Sequence, residues 1–533
     1  MKKHESILQK YFLRYSRDAN HAHALTFASR IERIPMLLRI FTKGIGLVLS
    51  RSKRLDNLLE NIPIVQSFTR LLAGNAELVL KSAEPTAHAA TVNTDFQNET
   101  SIYDLVVIGS GPGGSVAALR AAESGLKVLI LESGSAYRTG SIEHHSLAQT
   151  ELQFKNGGLN FIWGANPVLF AEGGTLGGGS EVNSGLYHRL VGMHRTKILN
   201  SVGATEEEWV RLEELVEKEL SVQKAPTSVE PEMGLIAGAK RMGLIYEEIP
   251  RWRIYDPTER HQGMQETYLA KAQQIGVQIS TSAPVEKILA KTDYVEIQIS
   301  GTHSKRQIRA LEVVIAAGTI ETPMLLNRSR ISKRKFELNF HPMIRFVSAQ
   351  SSDINDGDLF PSWQAWTADY EAKYGYSVST YPYLAATLTS LGQRGKLDVK
   401  DYKRMAAYFA SFALHDSRVH LRRFGTKLIP TIRWGTRDSE KIKSVSNQLA
   451  ELLKEGAAIE IWPKKGISPI TTVHLFGSIP LGRSPLVDDC GRLKNEPRIR
   501  ISDGSLMPHA PWGNPQGPIM VLCELMSERC LNE

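Results

Sequence analysis

The sequence predicts an α/β protein: a parallel, doubly covered sheet at its centre, an antiparallel region inserted beside it, and a helical extension in front. Three observations carry that expectation. A continuously apolar run, Leu105 to Ile108, enters the glycine pattern Gly109-x-Gly111-x-x-Gly114. A second apolar run, "KVLIL", ends on an acid, Glu132, 23 residues beyond Gly109. Far downstream the strongly apolar "LEVVIAAG" closes on Gly318, before a stretch of mixed aromatic strands and helices.

Taken in order, residues 1–80 read as a basic helical extension without a catalytic signature. The first residues lack the apolar core and small-residue cleavage site of a secretory signal. The segment "IPMLLRIFTKGIGLVLSR" is interrupted by Arg39 and Lys43 and falls short of the roughly 18 uncharged residues of a spanning helix. As a helix it gathers Met36, Leu37, Ile40 and Phe41 on one side. That suits docking on the protein's own body, the favoured reading, or on a membrane surface. Residues 81–101 lack periodicity and large apolar side chains and read as a linker.

The unit from Tyr103 is strand, helix, strand. A buried parallel strand reads as an unbroken apolar run, as Leu105–Ile108 does. Gly109 permits the tight turn, Gly111 lets backbone approach a pyrophosphate, and Gly114 lets helix and strand pack closely. The helix behind them aims its free amides and positive dipole end at the phosphates. Glu132 stands where an acid accepts hydrogen bonds from a ribose, which also disfavours a 2′-phosphate. The unit is therefore a Rossmann-like dinucleotide site, and the fingerprint alone does not separate NAD from FAD. Glycine clusters at 157–158, 173–174 and 177–179 imply backbone passing close to a large flat ligand at several points, as an enclosed FAD requires. A second fingerprint for NAD is absent from the sequence.

Bulk properties narrow the class. An apolar share of 42% and a charged share of 23% are ordinary for a globular chain, and the formal charge of +8 is mild. No dense Lys/Arg stripe interleaved with aromatics is present, so nucleic acid is not an expected partner. Cys490, Cys523 and Cys530 have no metal-ligand spacing, so no metal site is expected, and a reducing cytoplasm is the expected setting, with peripheral membrane association as the alternative.

Three further stretches follow in order: "GGTLGGGSEVNSG" (Gly173 to Gly185), "VVIAAGTIETPMLLNRS" (Val313 to Ser329), and the block from "HLFGSIPLGR" through "ISDGSLMPHAPWGNPQGP". Together they resemble the glucose–methanol–choline (GMC) family of FAD-dependent oxidoreductases, over residues 101–330 and 470–530. The loop and tail look most like the branch of cholesterol oxidases and long-chain alcohol oxidases. The resemblance implies an FAD-binding domain in two pieces, 102–335 and 471–533, around a substrate and lid domain at 336–470. It places Gly178, Gly179, Ser180 and Asn183 near the pyrophosphate and isoalloxazine, Val285 by the adenine, Gly318 at the cofactor, and Asp503 and Gly504 near the diphosphate and ribityl chain. It assigns His474 as catalytic base and Asn514, also in contact with the cofactor, as its hydrogen-bonding partner. His509 is a nearby competitor whose position fits a loop better. The histidine to which some relatives attach flavin is replaced by Val182, and His188 lies five residues past Asn183, so FAD is expected to be held without a covalent bond.

The chain departs from the family pattern in two ways. The cysteine-bearing segment of some long-chain alcohol oxidases has no counterpart in "RIYDPTERHQGMQETYL", and residues 340–470 match nothing by motif. The expected reaction is oxidation of a hydroxyl-bearing, apolar substrate, with O2 or an unidentified carrier as electron acceptor. Two alternatives stand beside it: an FAD-containing lyase on the same scaffold, and an inert body whose N-terminal helices make a protein or membrane contact.

Overall fold

The computed structural model describes residues 63–82 and 102–531, apart from positions 139, 226–233, 256–259, 301–305, 355–361, 394–396 and 425–426. The segment around Met36 and most of the linker lie outside the described residues.

The central sheet grows from the fingerprint. Strand Tyr103–Ile108 is flanked in parallel by Val128–Leu131 and Arg306–Ile315, and Val128–Leu131 by Gln278–Ser280. Val106, Val107, Leu129, Ile130, Val313 and Val314 are fully enclosed, as their unbroken apolar runs require. The ten-residue strand Arg306–Ile315 serves two purposes. Its first half continues an antiparallel ribbon with Val295–Ile299, and its second half pairs in parallel with Glu496–Ile501, returning from near the end of the chain. Arg120 of the fingerprint helix Pro112–Glu123 grips Glu524 of helix Gln516–Leu531 through two hydrogen bonds of 2.8 and 2.9 Å.

A nine-stranded, mainly antiparallel sheet forms the second lobe. At its middle Met405–Ser411 lies between Met343–Ala349 and Lys373–Tyr376, and Trp363–Trp366 follows. Two sequence expectations fail here. The run 400–413 suggests a helix, yet Met405–Ser411 is a strand buried at every position. Its alanines favour a helix locally, but an apolar run covered on both faces is better satisfied as a central strand. Conversely, "YSVSTYPYLAATLTS" suggests a strand, whereas Tyr381–Ser390 is a helix entered through Pro382 in its first turn.

A third, four-stranded sheet joins the second through two strand pairs. Phe336–Phe340 belongs to the third sheet and Met343–Ala349 to the second; Thr471–Thr472 belongs to the second and Leu475–Phe476 to the third. Both crossings occur at the same place. His341 occupies one and His474 the other, and the His341 N–H donates to the His474 carbonyl at 3.4 Å.

Ahead of the linker, helix Pro63–Lys81 packs on helix Tyr381–Ser390 and on Phe161 and Trp163. Phe68, Leu72 and Val79 are buried in that contact. Gly74 permits the crossing, because a Cβ there would stand 2.8 Å from the Ala386 carbonyl oxygen.

Backbone meets backbone more closely still at the fingerprint. A Cβ at Gly114 would lie 2.1 Å from the Gly109 carbonyl oxygen, and neither atom belongs to a side chain able to move aside. Gly114→Ala is expected to destabilise by about 1–3 kcal/mol, the usual cost of overpacking. A thermal melt of the variant should show a clearly lowered midpoint; an unchanged midpoint would show that the turn can open.

Candidate active site

The nucleotide end is framed by glycines of two kinds. Gly109, with φ of +103°, and Gly114 are held by backbone contact. Gly111, Gly179 and Gly318 instead face open space, with no atom within 4 Å of a Cβ built on them. The turn and the second glycine loop nonetheless touch, since a Cβ on Gly178 would stand 3.0 Å from the Gly111 Cα. Clear space over three glycines from separate loops is the cradle a diphosphate and its attached ring system need, so the residues present fit FAD.

Glu132, expected from the sequence to meet a ribose, lies beside the Gly109–Gly111 turn. Its Oε2 accepts from the Ser110 N–H and hydroxyl at 3.0 and 2.6 Å, and its Oε1 from the Gly134 N–H at 2.7 Å. The Ser110 hydroxyl in turn accepts from the Gly177 N–H at 3.0 Å. Ser110, the unremarkable x of the glycine pattern, thus ties the fingerprint to the second glycine loop. A ribose would share the carboxylate with these donors. Val285 begins the strand Val285–Ala290, two residues past Ala283, whose N–H donates to the Glu132 carbonyl at 2.8 Å.

Asp503 holds the opposite wall. Its carboxylate accepts from the Gly318 N–H at 2.8 Å, the Thr322 hydroxyl at 2.5 Å and the Ser505 N–H at 2.8 Å. It fixes the Gly318 turn, with φ of +93°, against the segment that carries Gly504. Burial nevertheless raises its pKa above the ordinary range.

Ser180 turns inward. Its hydroxyl lies 2.8 Å from the Gly177 carbonyl and 2.9 Å from Glu181 Oε1, and accepts from the Met264 N–H at 3.0 Å. One hydroxyl proton cannot serve both neighbours; a protonated Glu181 serves the second. Burial, then repulsion from Glu266, pushes the Glu181 carboxyl up to about 8, which keeps that proton in place. Asn183 bridges outward: its amide donates to Gln516 Oε1 at 2.7 Å, joining the glycine loop to the helix after Asn514.

At the seam between the sheets, His474 Nδ1 lies 3.3 Å from His341 Nδ1, with the rings perpendicular. Both imidazoles are held neutral. Burial, then the charges of His341 and Lys373, draws His474 well below its ordinary pKa, and burial followed by Lys373 takes His341 down to about 3. Two neutral rings meeting nitrogen to nitrogen share a single proton. Of the two tautomers this contact admits, the one in which His474 donates from Nδ1 leaves its outer nitrogen, Nε2, bare.

Asn514 is tied to this group through Lys373, whose charge acts on both histidines and whose ammonium donates to Asn514 Oδ1 at 3.1 Å. Its amide N–H groups are thereby left for another acceptor. His188, buried, sets its Nε2 2.9 Å from Gln364 Oε1 and its ring edge-on to Trp512 at 5.5 Å. Trp366 and Tyr370 complete an aromatic wall on Trp512, at 4.9 and 5.5 Å. His509 lies elsewhere, 2.9 Å from the Ser201 hydroxyl. The structure thus assembles His474 and Asn514 with three residues that sequence reasoning did not place in the catalytic group: His341, Lys373 and Gln364. A histidine directly after an aromatic strand and a lysine starting one carry no motif; only the pairing of strands brings them here.

A glycine cradle for a flavin dinucleotide, set against an antiparallel sheet with a neutral imidazole at its seam and an amide held by its lysine, defines the class of FAD-dependent oxidoreductases acting on CH–OH groups. Comparison with known proteins agrees. Residues 104–344 match the N-terminal and residues 415–523 the C-terminal sequence model of GMC oxidoreductases, and the chain belongs to that family. GMC oxidoreductases bind FAD. An uncharacterized GMC-type oxidoreductase of Sinorhizobium fredii is 25% identical over 83% of this chain and 96% of its own length. A long-chain-alcohol oxidase of Arabidopsis thaliana is 27% identical over 55% of this chain and 44% of its own. Pyridoxine 4-oxidase from Mesorbium loti shares the fold, with a TM-score of 0.65 at 18% identity, covering 81% of this chain and 99% of that one. Formate oxidase of Aspergillus oryzae superposes with a TM-score of 0.63 at 14% identity, over 81% and 98%. No helix among the described residues is long and apolar enough to cross a membrane.

The proton on Glu181 gives a pH signature. Its folded pKa of about 8 lies above the ordinary 4.5, so between these values the folded protein holds a proton that the unfolded chain has released. Stability from this group therefore falls as pH rises through that window. Glu181→Gln keeps a neutral side chain able to donate to the Ser180 hydroxyl and abolishes the titration. Its melting midpoint, measured relative to the native protein, is expected to climb between pH 5 and pH 8; parallel curves would mean that Glu181 ionises in the fold.

Proposed function

We propose that the protein oxidises the carbinol carbon of a hydroxyl-bearing organic substrate, with His474 as base and Asn514 as hydrogen-bond donor to the same oxygen. The observation that carries this reading is the His341–His474 contact, 3.3 Å between Nδ1 atoms: in this reading His474 is its donor, and the outer nitrogen of His474 is free to take a proton. When bound, FAD would supply the two-electron acceptor that oxidation of the carbinol carbon requires.

The chain's own residues do the rest. His474 takes the hydroxyl proton at Nε2, and His341 steadies the imidazolium by accepting from Nδ1. Asn514, with its carbonyl end held by Lys373, turns its amide toward the substrate oxygen and shares the charge that develops there. The wall of Trp366, Tyr370 and Trp512 offers an apolar face for the body of the substrate and excludes water from the carbon.

Gly109, Gly111, Gly114, Gly178, Gly179 and Gly318 let backbone approach the cofactor, and Glu132 and Asp503 organise the two ends of its cradle. Val285 is the adenine neighbour in this reading, and Gly504 and Asn183 complete the ribityl and ring sides. Ser180 acts through the shape of its loop, since its hydroxyl is spent within the protein. Val182 in the loop carries no nucleophile, so FAD is held by these contacts alone.

Two expectations follow. His474→Ala should retain flavin colour and slow anaerobic flavin bleaching by alcohol substrates about 10²–10⁴-fold, the range of a positioned acid–base group. Asn514→Ala should slow it less; a wild-type bleaching rate in the His474 variant would remove the base assignment. Acid precipitation of the native protein should leave the yellow flavin in the supernatant, and a flavin-bearing pellet would establish a covalent link.

A further inference from the structure

Among the described residues, the site-facing side of the second sheet holds cations and no buried acid. Residues opposite one another in a ladder project to the same face, as do alternate residues along a strand. Lys373 pairs with Trp366 on one side and Ser411 on the other; Gln364 and Phe409 lie two residues further along their strands, on the same face. Arg345 pairs with Phe409 and shares that face.

Lys373 is 3% exposed, and its described partners are the Asn514 oxygen and the rings of Phe409 and Trp512, at 5.9 and 5.8 Å from the ammonium. None is a carboxylate. Arg345 forms no ion pair among the described residues either, and its buried Nε has no hydrogen-bond partner. Beside Lys373, buried Gln364 gives its Oε1 to His188 and leaves its Nε2 without an acceptor. Burying an ammonium without a counter-charge is costly, and proteins ordinarily supply an acid. Here the fold supplies only donors, next to the amide and imidazole that face the reacting oxygen.

We propose that Lys373 anchors a carboxylate of the substrate, which makes the substrate class a hydroxy acid with an otherwise apolar body. This rests on the alcohol-oxidising reading above. The carboxylate meets Lys373 and Gln364, the hydroxyl meets Asn514 and His474, and the remainder lies along the tryptophan wall. Lys373 is then the residue that sets specificity, and it also holds Asn514 with its amide toward the substrate.

Without an anion, burial brings the Lys373 ammonium down to about 7. The other titratable groups around it, His188, His341 and His474, are all drawn below their ordinary pKa by burial and stay neutral through that range. A bound carboxylate favours the ammonium, so binding takes up a proton above pH 7. Affinity for an anion should accordingly be level below about pH 7 and weaken about tenfold per unit above it, as a singly linked proton requires.

The test uses the flavin-loaded protein with benzoate and its neutral isostere benzamide, followed by calorimetry and by shifts in the visible flavin spectrum. At pH 6 benzoate should bind about 10–100-fold more tightly, the worth of a charge-assisted hydrogen bond. The preference should fade above pH 7 while benzamide binding stays level. Lys373→Gln should abolish the preference, and Lys373→Arg should keep it and remove its decline above pH 7. Equal affinity for the two probes, or an unaltered preference in a folded, yellow Lys373→Gln protein, overturns the proposal, including the case in which the ammonium serves only the flavin. Binding is read without turnover. A missing preference beside His474-dependent bleaching therefore sinks this inference alone, and a preference without any bleaching by alcohols sinks the function while the anion site stands.

Discussion

Three carbonyl oxygens stand where side chains would otherwise begin, and the architecture depends on that contact. Hypothetical Cβ atoms on Gly109, Gly113 and Gly114 would lie 2.3, 2.1 and 2.1 Å from the oxygens of Ala316, Ser502 and Gly109. Because the middle contact is with Ser502, the fingerprint cannot close without the strand that returns from the far part of the chain. The Ser502 N–H donates to the Ile315 carbonyl at 3.0 Å and its hydroxyl to the Gly113 carbonyl at 3.0 Å. The next residue, Asp503, then sets the Gly318 turn. The glycine cradle and the C-terminal segment are one packing unit, so the position of Asn514 is inherited from the sheet.

The electrostatics of the two ends are opposite. Around the cradle, acids are plentiful and buried: Glu132 and Asp503 are met by hydrogen-bond donors, and Glu181 keeps its proton. Around the seam there are imidazoles, an amine and a guanidinium, each depressed chiefly by desolvation. Low dielectric makes each such group sensitive to any charge that arrives. A site of this kind stays neutral while waiting and becomes strongly polar only when a negative charge is delivered or develops within it.

What the sequence revealed divides along physical lines. The fingerprint, the terminal acid and the glycine loops were legible because local backbone sterics dictate them: no residue but glycine fits at Gly114. His474 and Asn514 were legible only through the order of motifs around them. Ser110 was passed over because a serine inside a glycine pattern advertises nothing, although its hydroxyl joins two loops. His341 and Lys373 were invisible because their neighbours are supplied by strand pairing across long separations. The strand Met405–Ser411 was misread for a related reason: alanine-rich composition speaks for the isolated segment, while burial on both faces is decided by the whole sheet.

The pairing of Arg306–Ile315 with Glu496–Ile501 also has a bearing on biosynthesis. From Ile315 to Glu496 the ribosome must add 181 residues, which at ordinary translation speed takes roughly 10–40 s. Throughout that interval the apolar edge Val313–Ile315 has no partner strand, and Gly113 has no Ser502 to pack against. An exposed strand edge of this composition invites pairing with another chain. The nascent protein therefore passes through a period in which a chaperone, or early capture of the cofactor by the half-built cradle, would protect it, and in which Asn514 has not yet been made.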